Sequence, residues 1–435
     1  MTVEWKTISI GDLCKSGEVE LQTGPFGSQL HSYDYLPEGV PVVPTEAIAD
    51  GRLDHSVLPK ISSEKAASLG RHALRTGDIL FARRGVQATG KTAMVRAHEA
   101  GFICGTGAIR LRVKSKSDKL DAFYLACLLA DQASIDWFKF HAIGATMPNL
   151  NEGIIKAFHF SLAPLPEQRT IAATLGALGD KIELNRKMNE TLEAMARALF
   201  RDWFVDFGPT RAKMDGRPAY LAEDLWSLFP DRLDEECKPE GWEARPLADC
   251  FNLLMGQSPP GDTYNDDGEG LPFFQGRTDF GFRFPENRKY CSAPTRVAEK
   301  DDTLVSVRAP VGDINLAAER CCIGRGVAAL RHKSGGASFT YYTAWSLQDE
   351  LQQFENTGTV FGAINKVQFE KLPTVDPKPA VIEAFENIVS ALDKRIENNE
   401  CESRTLAQTR DLLLPRLMSG EIRVREAEQI IEEAL

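Results

Sequence analysis

Apolar residues recur at alternating three- and four-residue steps through Leu175, Leu178, Ile182, Leu192, Ala196 and Leu199, with Asn185 and Asn189 in the same register. That period is the seam of a helix packed along a partner helix. A second seam runs through Leu392, Ile396, Asn399, Ser403, Leu406, Arg410, Leu413 and Leu417. No Gly or Pro falls between Asp180 and Leu199 or between Ala380 and Leu414. Pro166-Glu167 suits a helix start, where proline loses no hydrogen bond and an acid meets the helix dipole. Pro415 weakens the second helix, and Gly420 can cap its end. The pattern predicts long helical segments over 165–207 and 379–420, and a helix from Pro166 to about Phe204 would be roughly 58 Å long at 1.5 Å per residue. Two such helices are most simply buried against each other. If they run antiparallel, Asn185 and Asn399 fall near the middle of each and fix the register close to a pseudo-twofold axis. The alternative leaves both asparagines facing water at the edge of the seam.

The seams belong to an internal repeat. Leu178 to Asn185 is answered by Leu392 to Asn399 at a constant offset of 214. Asn151 answers Asn365 at the same offset, whereas Gly105 answers Gly324, Arg84 answers Arg308 and Trp5 answers Trp242 at offsets that drift. Each half is thus a globular part that tolerates insertions, followed by a segment of fixed length. Strand-like patterns cover Gly77–Ala82 and Gly107–Val113 in the first head and Thr303–Val307 and Gly326–Leu330 in the second. Helical patterns cover 121–140 and 339–354. The expected fold is α+β: two tandem α/β heads, over 1–164 and 241–378, joined by two long helices that form an antiparallel, pseudo-twofold symmetric coiled coil. The bridge over 208–240, with four prolines and much of the acid, reads as a linker, and 421–435 as a C-terminal tail.

Charge sharpens this division. The net charge is −11, but Lys60 to Lys119 holds 13 Lys and Arg against 4 Asp and Glu, and Arg277 to Lys333 holds 11 against 7. Asp215 to Glu243 has 3 against 9, and Glu383 to Leu435 has 7 against 12. Basic heads on acidic helices are compatible with a phosphate backbone, which responds to the local face and not to the whole-chain charge. No apolar stretch approaches the roughly 20 residues of a membrane span. The start lacks the basic and apolar regions of a signal peptide, so a cytoplasmic location is expected. The nine cysteines show no metal-binding spacing and read as reduced thiols.

One motif has a competing reading. Gly85-Val86-Gln87-Ala88-Thr89-Gly90-Lys91-Thr92 satisfies the phosphate-cradling pattern G-x-x-x-x-G-K-[ST]. A nucleotide hydrolase would need a helix to open at Lys91-Thr92. The repeat answers this segment with Val311 to Leu316, a turn into a strand, so a glycine-rich hairpin is the preferred reading. No catalytic constellation is evident elsewhere. A two-headed protein-interaction module is the remaining alternative, and it predicts no salt-dependent affinity for duplex.

Several segments are similar to a known family. Gly256-Gln257-Ser258-Pro259-Pro260-Gly261-Asp262-Thr263-Tyr264-Asn265 followed by Gly270-Leu271-Pro272-Phe273-Phe274-Gln275-Gly276 resembles the opening of a target recognition domain in type I restriction–modification specificity subunits. Gly24-Pro25-Phe26-Gly27-Ser28 with Gly39-Val40-Pro41-Val42-Val43 resembles a variant of it. Leu165-Pro166-Glu167-Gln168, and Asp180 to Asn185 running into Phe200-Arg201-Asp202-Trp203-Phe204, resembles the family's spacer helix. The resemblance implies a subunit without catalytic activity that binds a bipartite, asymmetric double-stranded DNA sequence, one half-site per recognition domain. It also implies two docked adenine-N6 methyltransferase subunits and ATP-driven restriction subunits, with S-adenosylmethionine, ATP and Mg held by those partners and no cofactor or metal on this chain.

The resemblance does not identify base contacts. On chemistry alone the candidates are Arg83, Arg84, Lys91 and Thr106 in one head and Gln275, Arg277, Arg308 and Arg325 in the other, because Arg matches guanine edges, Gln suits adenine and Lys holds phosphate. Leu175, Leu178, Ile182, Asn185, Leu192, Leu199, Leu392, Ile396, Asn399, Leu406 and Leu413 are the expected helix-pair interface. Phe200, Trp203 and Phe204 are open either to a partner subunit or to this chain's own heads.

Overall fold

The computed structural model describes residues 5–49, 51–144, 146–355 and 362–434. Its contacts divide the chain into two units, Met1–Leu184 with Glu402–Leu435, and Asn185–Cys401. Both mix helix and sheet, and each takes part of the two long helices, Leu165–Phe204 and Pro379–Ser419. No described helix is long and apolar enough to cross a membrane.

One strand plan is built twice. The first unit has a four-stranded antiparallel sheet in the order Val19–Thr23, Ala108–Val113, Ile79–Ala82, Thr92–Met94. The second repeats that order with Phe251–Met255, Val327–His332, Thr303–Ser306, Ile314–Leu316. The inner strands Ile79–Ala82 and Thr303–Ser306 are buried at every position. They therefore read as continuous runs and not as alternation. A second sheet in each unit contains a parallel pair, Val42-Val43 beside Ile103-Cys104 and Phe273-Phe274 beside Cys322-Ile323. Asn151 and Asn365 cap equivalent short helices, accepting from the amides of Ile154 and Gln368.

Two of the expected helices are broken, the first by a side-chain cap. Asp131 is extended and its side chain accepts from the Ala133 amide, so 121–140 becomes Ala122–Ala130 and Gln132–His141. The stretch 339–354 likewise divides at Leu347 into Ala337–Ser346 and Gln348–Gln352. The bridge 208–240 carries two short helices, Gly208–Met214 and Glu223–Trp226, and buries Pro209, Thr210, Ala212 and Phe229. It is a packed strap, more ordered than its prolines and acids indicate. The segment after Gly420, whose φ is +74, forms the helix Val424–Ala434 with Ala427 buried.

Within the first unit, Leu175, Leu178, Leu406, Leu413 and Leu417 share one core with Tyr124 and Phe138, and Ile182 packs at its edge. Glu167 pairs with Arg423, and Lys181 lies 3.2 Å from Glu402, so the two helical segments run antiparallel. Within the second unit, Ile396 and Asn399 are buried while Leu192, Leu199 and Leu392 are half-buried. Asn399 Nδ2 donates to Asn189 Oδ1 at 2.8 Å, Asn189 Nδ2 to Glu400 Oε1 at 2.7 Å, and Asn185 Nδ2 to the Asn399 carbonyl at 3.4 Å. The asparagines bond to one another out of water, so the reading that left them at the wet edge of the seam fails.

Arg283, 2 % exposed at its side chain, lies 3.4 Å from Glu193 on one long helix and 3.2 Å from Asp393 on the other. It also donates to the Tyr342 hydroxyl at 2.8 Å and stacks 4.0 Å from the Tyr341 ring. Burial alone would lower its pKa, but Tyr341, Tyr342, Asp393 and Glu193 together hold it above the usual guanidinium range. Phe200, Trp203 and Phe204 are buried among Trp242, Phe339 and Phe385. Of the two possibilities left open for these aromatics, packing within the chain is the one realised.

Arg283→Ala would strip the half-buried Asp393 of its cation and leave the buried Glu193 with Arg197 alone. The expected cost is about 3–5 kcal/mol, read as a lower urea midpoint for the second unit. A loss below about 1 kcal/mol would show that the cluster does not clamp the fold.

Candidate nucleic-acid interface

In the first unit four loops converge at one end of the central sheet. Glycine makes their close approach possible. A Cβ on Gly24 would lie 1.8 Å from the Gly105 carbonyl oxygen, one on Gly105 2.3 Å from that of Val43, and one on Gly107 2.0 Å from Thr45 Oγ1 and 3.4 Å from Arg84 Nε. Thr45 Oγ1 donates to the Gly107 carbonyl at 3.0 Å. The turn over 105–107 thus lies against Thr45 and the exposed Arg84 guanidinium, with Thr106 half-buried at its tip. Arg83 is committed internally, its Nε donating to Asn149 Oδ1 at 3.0 Å and to the Leu150 carbonyl at 3.1 Å.

Gly85 to Gly90 is a hairpin turn. Thr92 pairs antiparallel with Phe81, and the half-buried Lys91 lies where the chain enters that strand. No helix opens at Lys91-Thr92, so the amide array that a phosphate cradle requires is not formed. Thr92, the hydroxyl position of that pattern, is a buried strand residue instead of the first turn of a helix. The nucleotide-hydrolase alternative loses its site.

The second unit builds the same arrangement. The Val307 amide donates to the Gly326 carbonyl as that of Arg83 does to Gly107, and Arg308 bridges to Ala363 as Arg84 does to Asn149. A Cβ on Gly326 would lie 2.1 Å from the Gln275 carbonyl oxygen, and one on Gly256 2.2 Å from that of Gly324. Gln275, Arg308 and Arg325 are exposed around this turn. Arg277 is also exposed, but its Nε pairs with Asp313 at 2.9 Å. The structure therefore gathers Arg84 and Thr106 in one head and Gln275, Arg308 and Arg325 in the other, while Arg83 and Arg277 have protein partners.

Sequence reasoning missed Thr45, whose place beside Gly107 rests on a hydrogen bond spanning 62 positions. It also missed the exposed apolar side chains near Arg84: Val86 on the hairpin, and Ile143 and Met147 on the loop that reaches Asn149. Apolar letters in loops give no local sign of exposure. Part of the basic run from Lys60 to Lys119 is also internal, since Arg112 holds Asp78 through two contacts of 2.6 Å.

Residues 2–194 and 239–408 match the type I restriction modification DNA specificity domain. The chain is 28 % identical to a putative type I restriction enzyme MjaX specificity subunit of Methanocaldococcus jannaschii, over 89 % of this chain and 88 % of that one. It is 24 % identical to the type I restriction enzyme HindI specificity subunit of Haemophilus influenzae, over 96 % and 100 %. Among solved structures, the S subunit of a type I restriction–modification system from M. genitalium is similar at a TM-score of 0.58 with 17 % identity, covering 96 % of each chain. That likeness bears on the fold.

Gly105→Ala forces a Cβ against the Val43 backbone, and the expected result is a head that melts several degrees lower. Gly27→Ala, with nothing within 4 Å of the added atom, is the matched control. Equal melting temperatures for the two variants would contradict the close-approach argument.

Proposed function

The chain belongs to the type I restriction–modification DNA specificity family, and from its paired heads we propose that it is the non-catalytic subunit that binds a bipartite, asymmetric duplex target. The head over 1–164 takes one half-site and the head over 241–378 the other. The two long helices, paired as an antiparallel coiled coil about a pseudo-twofold axis, set the gap between the half-sites. Helices of 40 and 41 residues exceed the ~34–36 Å of one DNA turn, which is the scale on which a gap of fixed length has to be measured. Two methyltransferase subunits dock on this frame and restriction subunits join them, all in the cytoplasm. S-adenosylmethionine, ATP and Mg belong to those partners.

One observation carries this reading: the same convergence of loops is built twice and carries different side chains. Thr106 in one head answers Arg325 in the other on equivalent turns, while Arg84 and Arg308 occupy equivalent backbone bridges. A shared frame with changed tips is what two different half-sites require. Arg84, Arg308 and Arg325 suit guanine edges, Gln275 suits adenine, and Lys91 suits a phosphate. Arg83 and Arg277 act through the loops they hold.

The test is selection from a random duplex pool by the chain assembled with its methyltransferase subunits. A bipartite motif is expected. Arg84→Ala is expected to relax only one half and Arg308→Ala only the other, each costing about 1–3 kcal/mol at the affected position. Lys91→Ala should weaken all sequences alike and reduce the salt slope by about one. A single undivided motif, or relaxation of both halves by one arginine variant, would contradict the reading.

A further inference from the structure

The first head contains a basic cavity on the sheet, apart from the loops gathered around Arg84. It is about 340 Å³ and is lined by Glu20, Gln22, Arg71, Arg75, Arg110 and Arg112. Four arginines and one acid, Glu20, line it, with Asp78 close behind Arg112. Asp78 is taken by Arg112, and Glu20 is 65 % exposed and 3.5 Å from Arg110 Nη2. Positive charge therefore exceeds negative around a concave surface.

Arg110 is the unusual member. It is 2 % exposed, in the middle of a strand, where a guanidinium is costly unless every donor is satisfied. Its Nη1 donates to the Arg71 carbonyl at 3.1 Å, but Nε is buried with no hydrogen-bond partner. Burial first, and the Arg112 charge next, push its pKa down, the sign of a cation short of anionic company.

The repeat supplies an internal control. Leu111 pairs with Ile79 in the first head, and Leu330 pairs with Thr303 in the second. By that register Arg112 answers Arg331 and Arg110 answers Ala329. Arg112 with Asp78 is matched by Arg331 with Asp302, 2.5 Å apart, so that ion pair belongs to the shared frame. Arg110 does not, because alanine closes the same strand position in the other head.

We propose that this cavity binds a phosphate-type anion, with Arg110 at its floor and Arg71 and Arg75 at its exposed rim. Arginine matches such an anion through paired charge-assisted hydrogen bonds. The occupant is either a phosphate of the bound duplex or a small free phosphate species, two sources of one chemistry.

The assembled complex is heated with inorganic phosphate and, separately, with sodium chloride at equal ionic strength. Phosphate is expected to raise the melting temperature beyond the chloride control. Arg110→Ala, which installs the residue found at 329, should abolish that rise. The double variant Arg71→Ala/Arg75→Ala removes two exposed side chains and one hydrogen bond, from Arg71 Nε to His72 Nε2 at 3.0 Å, so it reports on the site even if Arg110→Ala misfolds, and it should weaken phosphate binding at least about tenfold. The source is read from duplex affinity against salt. A slope reduced by about one in Arg110→Ala assigns the cavity to the DNA backbone, whereas an unchanged slope with the phosphate effect lost assigns it to a free anion. No stabilisation of the wild-type complex by phosphate, together with an unchanged slope in the rim variant, would overturn the proposal.

Discussion

Everything else in the second unit is referred to a buried polar contact between its two helical segments. Asn189, Asn399 and Glu400 exchange side-chain hydrogen bonds, and one turn further along Glu193 and Asp393 meet on Arg283. Apolar seams alone tolerate sliding, because leucines pack almost as well one turn away. Buried amides and carboxylates do not, since any slip strands donors and acceptors away from water. Such a cluster adds little net stability. Its contribution is register, which is what the proposed spacing of two half-sites requires before it requires stability.

Arg283 extends that constraint to the head. It belongs to the globular part of the repeat, yet its charge is balanced by one acid from each long helix and its ring partners come from Ala337–Ser346. The buried aromatics Phe200, Trp203, Phe204 and Phe385 continue the junction without polar demands. Head and helices are therefore one cooperative core, and the exposed loop tips are left free to vary. Side chains such as Thr106 and Arg325 differ between the heads without disturbing the glycine contacts beneath them.

The helices and the repeat were legible because both signals are periodic and local: a three-four step along the seam and an offset held at 214. The equivalence of Arg84 and Arg308 followed from the repeat, and their matching backbone bridges agree with it. Sheet order was not legible, because Ala108–Val113 lies between Val19–Thr23 and Ile79–Ala82 through pairings no local pattern encodes. Asp131 was read as part of a helix when its side chain caps the next one. Arg83 and Arg277 looked like free cations because Asn149 and Asp313, the groups that hold them, lie 66 and 36 positions away. The long helices and the paired inner strands were thus visible in the sequence, whereas the helix breaks at Asp131 and Leu347, the helices of the bridge and the commitment of individual charges were decided by local caps and tertiary contacts.

In the proposed function this chain supplies sequence choice to a methylating complex. The most direct measurement is single-molecule-sequencing detection of N6-methyladenine in a host expressing the chain with its methyltransferase subunit, against a host lacking only this chain. A bipartite methylated motif that disappears without the chain is the predicted result, and it would give both half-sites and the gap between them. Unchanged methylation by a demonstrably assembled and active complex would contradict the account.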